Sequence, residues 1–242
     1  MKVKGTLEMT CLFLRGKKEF MRTEEEIIQN AFALAELDID YWESESDEYA
    51  LARVLLQNGV SRWEGYENTL WRELLTKLSS AADGDKSVTT AFIYDCPTNF
   101  MYPGGWVRTV NGTVNRYWTV IKPENVSSKA NSQEDYCYFL GDEANGFTLN
   151  FNPNVTMPTG DTIEYEYYRK AATTAAVSDK VEMSDPYFLS YFIAAHLGED
   201  GIDQDKFTIA EARLNQMQTK NMSGVFGVSD QIDNPNDFSF GE

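Results

Sequence analysis

Ile163-Glu-Tyr-Glu-Tyr-Tyr-Arg-Lys170, followed by Asp185-Pro-Tyr-Phe-Leu-Ser-Tyr-Phe-Ile-Ala-Ala195, places an alternating segment just before a helical one. Ile163, Tyr165 and Tyr167 fall on one face and Glu164 and Glu166 on the other, the period of a half-buried antiparallel strand. The chain then crosses Ala171–Met183. Asp185-Pro186 supplies an N-cap and a first-turn proline, Phe188, Tyr191, Phe192 and Ala195 recur at helical spacing, and Gly198 with Asp200-Gly201 closes the helix. A second helix repeats the stripe with Phe207, Ala210, Leu214 and Met217. A strand delivered into a pair of amphipathic helices predicts a mixed α and β architecture.

Working outward, the same two textures divide the chain. Thr23-Glu-Glu-Glu26 reads as a capping box, and Ile27, Ala31, Leu34 and Ala35 behind it predict an amphipathic helix that runs into the acidic stretch Asp38–Glu48. A second helix is expected near Asp47, with Leu51, Val54 and Leu55, interrupted at Asn58-Gly59. Ser61-Arg-Trp-Glu64 reads as a further capping box, opening a helix that carries Trp63, Tyr66, Leu70, Leu74 and Leu78 with Trp71 and Leu75 alongside, up to Ser79. Beyond the linker at residues 81–85 the composition turns to β-branched and aromatic residues punctuated by Pro, Gly and Asn. Strands are expected at Thr89–Tyr94, Trp106–Val110, Tyr117–Ile121, Tyr136–Leu140, Phe147–Phe151 and Thr162–Arg169.

The expected fold is therefore α+β: a four-helix bundle-like core, residues 23–86 and 180–222, interrupted by an inserted antiparallel β-sandwich or barrel domain at 87–179. A flexible basic N-terminal arm, 1–22, precedes it and an extended C-terminal tail, 223–242, follows. The arm sets Lys2, Lys4, Arg15, Lys17, Lys18 and Arg22 against Glu8 and Glu19, a net +4, and alternates Leu7, Met9, Cys11 and Phe13 through a strand expected at Thr6–Leu14. Its apolar centre is too short for a signal peptide. The tail carries Asp230, Asp233, Asp237 and Glu242 and no basic residue, a net −4. Val225, Phe226, Val228, Ile232, Phe238 and Phe240 are scattered through it without helical or strand period, a composition suited to docking on a partner.

Composition narrows the function further. With 42% hydrophobic and 13% aromatic residues the 242-residue chain has ample material for a core. Its longest near-apolar run, Tyr187 to Ala195, falls far below the ~20 residues of a membrane span, so the chain is expected to be soluble with no membrane partner. A formal charge of −17 disfavours binding nucleic acid by phosphate neutralisation, yet suits a surface past which DNA slides without sticking. Cys11, Cys96 and Cys137 are widely spaced, with no Cys-x-x-Cys pair, and indicate neither a zinc site nor a disulfide framework.

Several short motifs, taken in order, carry a resemblance. Tyr94-Asp-Cys-Pro-Thr-Asn-Phe100 resembles the Tyr-x-Leu-Pro-x-Asp-Phe entry to the β domain in head-to-tail connector proteins of tailed bacteriophages, also called portal adaptor or head-completion proteins. Gly146-Phe-Thr-Leu-Asn-Phe-Asn-Pro153 is similar to that family's Leu-x-Leu-x-Pro strand, and Ile163–Lys170 to its Ile-x-Val-x-Tyr-Tyr-Arg strand. Ser178-Asp179 with Val181–Asp185 resembles the acidic passage into the family's third helix, and Ala210–Met217 resembles the fourth. The likeness runs from about Thr23 to Lys220. Cys96 stands where the family has Leu and Asn99 where it has Asp, and the arm has no counterpart. The resemblance implies a structural virion protein of the neck, made in the host cytoplasm: a homo-oligomeric ring, commonly dodecameric, that joins the capsid portal protein to tail or neck proteins. Genome DNA would pass its channel without specific binding, and the role needs no enzyme activity and no cofactor.

An alternative remains open on the residues alone. Glu134-Asp135, Asp142-Glu143 and Glu164/Glu166 offer carboxylate pairs, and Trp106, Tyr117 and Trp118 offer aromatic surface, for a carbohydrate-binding or carbohydrate-cleaving tail component acting through the β domain. Solvated charge in turns is the plainer expectation. His196, the one histidine, sits beside an apolar stripe and is expected to pack rather than act as a base. Asp200-Gly-Ile-Asp-Gln-Asp205 lacks the spacing of a calcium loop, so no metal site is expected. Trp63 and Trp71 are expected in the core, with an intersubunit surface as the other reading.

Overall fold

The computed structural model describes residues 22–37, 46–78, 92–157, 159–172, 178–198 and 201–222. The strand expected at Thr6–Leu14, Cys11, and the six apolar tail residues Val225, Phe226, Val228, Ile232, Phe238 and Phe240 lie outside them.

Four helices form: α1 (Glu24–Leu34), α2 (Asp47–Glu64), α3 (Tyr187–His196) and α4 (Gln204–Met222). Their starts follow from side chains that satisfy the first free N–H groups. Thr23 Oγ1 accepts from the Glu26 N–H at 3.2 Å while Glu26 Oε2 accepts from the Thr23 N–H, so the capping box is formed. Ser46 Oγ caps α2 by accepting from the Tyr49 N–H at 3.1 Å. At α3, Asp185 Oδ1 accepts from the Tyr187 N–H, one residue ahead of Pro186.

Helix α3 is the hub. Helices α1, α2 and α4 each pack on it, and its apolar residues, Phe188, Leu189 and Ile193 among them, are buried between Ile27 and Ile28 of α1, Leu56 of α2 and Leu214 of α4. Each such side chain contributes roughly 1.5–3 kcal/mol on burial. Gly59 does not interrupt α2. A Cβ there would sit 2.6 Å from Leu189 Cδ2 and 3.2 Å from Phe192 Cδ1, so the glycine lets α2 lie close against α3.

Seven strands make one sheet: β1 (Leu75–Leu78), β2 (Ile93–Asp95), β3 (Phe100–Asn111), β4 (Val114–Val120), β5 (Tyr136–Asp142), β6 (Gly146–Phe151) and β7 (Thr162–Arg169), in the order β1-β7-β3-β4-β5-β6-β2. All neighbours are antiparallel except β4 and β5, which run parallel with Thr119 opposite Tyr136. A parallel pair needs a crossover of a dozen residues or more, and the stretch from Ile121 to Asp135, with short 3-10 turns at Pro123–Asn125 and Ser127–Lys129, supplies it. The sheet curls into a half-barrel over a second core that holds Leu78, Phe100, Trp118, Phe139, Phe151, Ile163, Tyr165 and Tyr167. The alternation at Ile163, Tyr165 and Tyr167 is the one expected, with all three buried.

The four-helix bundle-like core with an inserted antiparallel β-sandwich or barrel is therefore not the fold. One curled, mixed sheet replaces the sandwich, because the inner faces of its strands converge on a single core and need no second sheet. The helices cluster around a ten-residue α3 instead of running side by side as a bundle. The third expected helix is absent as well. Ser61 lies inside α2, which ends at Glu64. The backbone then turns with positive φ at Glu67 and Asn68, and Trp71 and Leu74 enter the helical core from a 3-10 turn. Leu75–Leu78 continue as β1, paired with β7 and ahead of the 87–179 stretch expected to hold the sheet. Trp71 and Leu74 thus belong to one core and Leu78 to the other.

Candidate functional site

The last turn of α2 and the open end of the half-barrel enclose a cleft of about 610 Å³. Its floor is aromatic. Phe100 of β3 lies 5.1 Å from the Phe139 ring of β5 and 5.2 Å from Phe147 of β6, centroid to centroid. Ser61, Glu64 and Gly65 form one wall, Met101–Pro103 and Val120–Pro123 contribute strand ends, and Lys122, Glu143 and Lys170 stand among the lining residues. The sequence places phenylalanines here because β3, β5 and β6 each turn one inward residue toward the same end of the sheet.

The charged lining is balanced, with Glu64 and Glu143 against Lys122 and Lys170. Glu64 Oε1 accepts from the Ala171 N–H at 3.3 Å, tying α2 to the exit of β7. Burial pushes the Glu64 carboxyl above its ordinary value; the Ala171 N–H and Lys170 pull it back, and the charge of Glu143 raises it. Glu143 and Lys170 are hydrogen-bonded to each other. Lys122 makes no ion pair with a described residue. With Lys170 held by Glu143, Lys122 is the lining lysine left without an ion pair to a described residue, beside rings of which Phe100 and Phe139 are largely buried.

The carboxylate pairs raised by the sequence are dispersed. Asp135 accepts from both Arg116 Nε and Nη2, and Glu134 from Lys129, which holds the Glu134 carboxyl below its usual range. Asp142 is held low by Asn145 and by backbone N–H groups of its turn. Burial would raise Glu164, but hydrogen bonds from Lys77 and Arg108 and their charges outweigh it and leave the carboxyl low. The aromatic residues divide too. Trp118 is buried in the half-barrel against Phe151, whereas Tyr117 faces outward, so Trp106, Tyr117 and Trp118 line no common groove. Lys77 and Arg108 both lie over the Trp106 ring.

The remaining candidates have structural roles. His196 is half-buried between the rings of Phe192 and Phe207, with Nδ1 2.7 Å from the Phe192 carbonyl oxygen. Asp203 caps α4 by accepting from the N–H groups of Asp205 and Lys206 at 3.1 Å. Among the described residues, no three His, Cys, Asp or Glu side chains gather to hold a metal, and no helix is long and apolar enough to cross a membrane. Trp63 and Trp71 are 0% and 1% exposed, 5.5 Å apart, with Trp71 Nε1 donating to the Trp63 carbonyl at 2.6 Å; the chain's own core encloses them.

Sequence reasoning missed the cleft, because its residues come from six separate stretches between Ser61 and Lys170. It also missed the exposed apolar side chains. Leu51 and Val54, one turn apart on α2, are 47% and 57% exposed, and on β4 Val114 (67%) and Tyr117 (59%) are exposed on opposite faces of the strand. Compared with known proteins, the chain matches no family model and no curated protein sequence.

Proposed function

We propose that the chain is a structural subunit of a tailed-bacteriophage neck, a head-to-tail connector whose copies form a ring between the capsid portal and the tail. The observation that supports it is the presence of two separate exposed apolar surfaces, Leu51 with Val54 on α2 and Tyr117 on the outer face of β4. A closed ring is built from head-to-tail contacts, in which each subunit offers two different surfaces. Neither patch is needed to complete a core inside the chain, since the helical and sheet cores are filled by other residues. The order of sequence motifs from Tyr94 to Met217 supports the same reading, and so does the net charge of −17, which lowers the affinity of a channel wall for passing DNA. In this role the chain acts without catalysis or cofactor, its partners being portal, tail or neck proteins and its own copies, commonly twelve in the family it resembles.

The test is reconstitution. Full-length chain mixed with portal assemblies of the same phage is expected to add a ring of density beneath the portal in negative-stain images. The double variant Leu51→Glu, Val54→Glu is expected to keep the wild-type circular dichroism spectrum and lose that density. Bare portals at saturating chain would overturn the proposal.

A further inference from the structure

The cleft between α2 and the half-barrel is bordered by one carboxylate and one ammonium group that do not pair with each other. Lys170 and Glu143 are already hydrogen-bonded together. Two charged residues of the lining remain. Glu64, on the α2 wall, accepts through Oε1 from the Ala171 N–H and makes no ion pair with a described residue. Lys122, just past the end of β4, is half-buried and has no ionic partner among the described residues either. Both border the same space of about 610 Å³.

Much of the rest of the lining is apolar. Phe100 and Phe139 are largely buried already, but Met101, Pro103, Val120 and Phe147 are only half-buried and keep apolar surface to cover. A cleft of this size takes a small ligand. The charge of that ligand follows from what it would leave behind. A neutral apolar molecule would desolvate Glu64 and Lys122 and pair neither, a cost that works against binding. A simple acid compensates Lys122 alone, and a simple amine Glu64 alone. A molecule charged at both ends with an apolar middle compensates both and covers the half-buried side chains, so the balance of the lining is itself the selecting feature.

We infer that the cleft binds a short apolar zwitterion of dipeptide size, with its ammonium at the Glu64 carboxylate and its carboxylate at Lys122. Two residues in extended form span roughly 7 Å, enough to bridge charges too far apart to pair directly. Bound there, the ligand ties the α2 wall to the strand ends and stabilises the junction of the two cores. The inference holds whether or not the chain forms rings.

Calorimetric titration of the full chain with three probes tests this: the dipeptide Leu-Phe, its N-acetyl form, which lacks the ammonium, and its C-terminal amide, which lacks the carboxylate. Leu-Phe is expected to bind, and each blocked form to bind about tenfold more weakly, the effect of one charge-assisted contact worth about 1.4 kcal/mol. Two variants assign the ends. In Glu64→Gln the advantage of Leu-Phe over the acetyl form is expected to vanish while its advantage over the amide persists, and in Lys122→Gln the reverse, both with the wild-type circular dichroism spectrum. The blocked probes on the wild-type chain test the charges without any substitution. No binding of Leu-Phe at millimolar concentration, equal binding of the three probes, or advantages that survive in both variants would each overturn the inference. A portal ring could still assemble in every one of those cases, so failure here leaves the neck proposal to its own test.

Discussion

Glu64 shows how a single side chain couples the two halves of the molecule to pH. Its carboxyl binds a proton more readily in the folded chain than in the unfolded one, because burial disfavours the charged form. The associated stability is present at low pH and is lost as pH rises from the ordinary carboxylate value of about 4.3 through the raised folded value. Glu164 runs the other way: its lowered carboxyl contributes stability above the ordinary value, lost as pH falls through the folded one. Glu64→Gln keeps an acceptor for the Ala171 N–H and removes the penalty. Thermal melts should show the variant more stable than the parent at neutral pH, with the gap closing below about pH 4; a gap constant across pH would contradict this. Trp71 makes a second test. Trp71→Phe removes the donor to the buried Trp63 carbonyl and should cost about 1–3 kcal/mol in urea unfolding, with an unchanged m-value. A wild-type midpoint would show that the hydrogen bond contributes nothing.

At the scale of elements, legibility followed locality. The cap at Thr23 and the alternation of Ile163, Tyr165 and Tyr167 are settled by neighbours within a few residues, and both formed as expected. Residues 61–79 were misread because Trp63, Tyr66, Leu70, Leu74 and Leu78 do recur at helical spacing. The helix stops at Glu64 with Gly65 as its C-cap; what keeps it from resuming is the left-handed backbone at Glu67 and Asn68, neither of them glycine, and the pairing of Leu75–Leu78 with β7, a partner about ninety residues away. Gly59 was misread in the opposite sense, as a breaker, when its missing side chain serves a contact with α3 that sequence cannot display. The register shift in β3 is similar. Between Pro103 and Val107 the strand bulges against β7, and a Cβ on Gly104 would lie 2.5 to 2.7 Å from Glu166, including its backbone carbonyl. A Cβ on Gly105 would meet only Glu166 Oε2, at 3.9 Å. Gly104→Ala is therefore expected to destabilise by about 1–3 kcal/mol in chemical denaturation while Gly105→Ala stays near the parent. Equal effects would mean that the close approach of β3 and β7 is not constraining.

For the whole molecule, two cores are joined by the stretch that puts Trp71 and Leu74 in the helical core and Leu78 in the half-barrel, and again at the exit of β7, where Ala171 packs on the helical core. That connection, and the Glu64 to Ala171 hydrogen bond beside it, fix the cleft between the cores. The cleft was illegible in the sequence because it depends on how the cores are joined, which no local pattern encodes. The apolar patches were illegible for a related reason: Leu51 and Val54 fit a helical stripe as well as Leu55 does, and only the packed helix shows that Leu55 turns inward while they do not. A body with two filled cores and exposed apolar side chains on both α2 and the outer face of β4 is suited to being held between neighbours. The proposed neck role is tested most directly by cryo-electron microscopy of the neck in purified particles of a phage whose genome carries this sequence. The predicted result is a closed ring of copies between portal and tail, with the α2 patch of one copy covered by the next. A neck resolved from portal to tail with no density for the chain would contradict it.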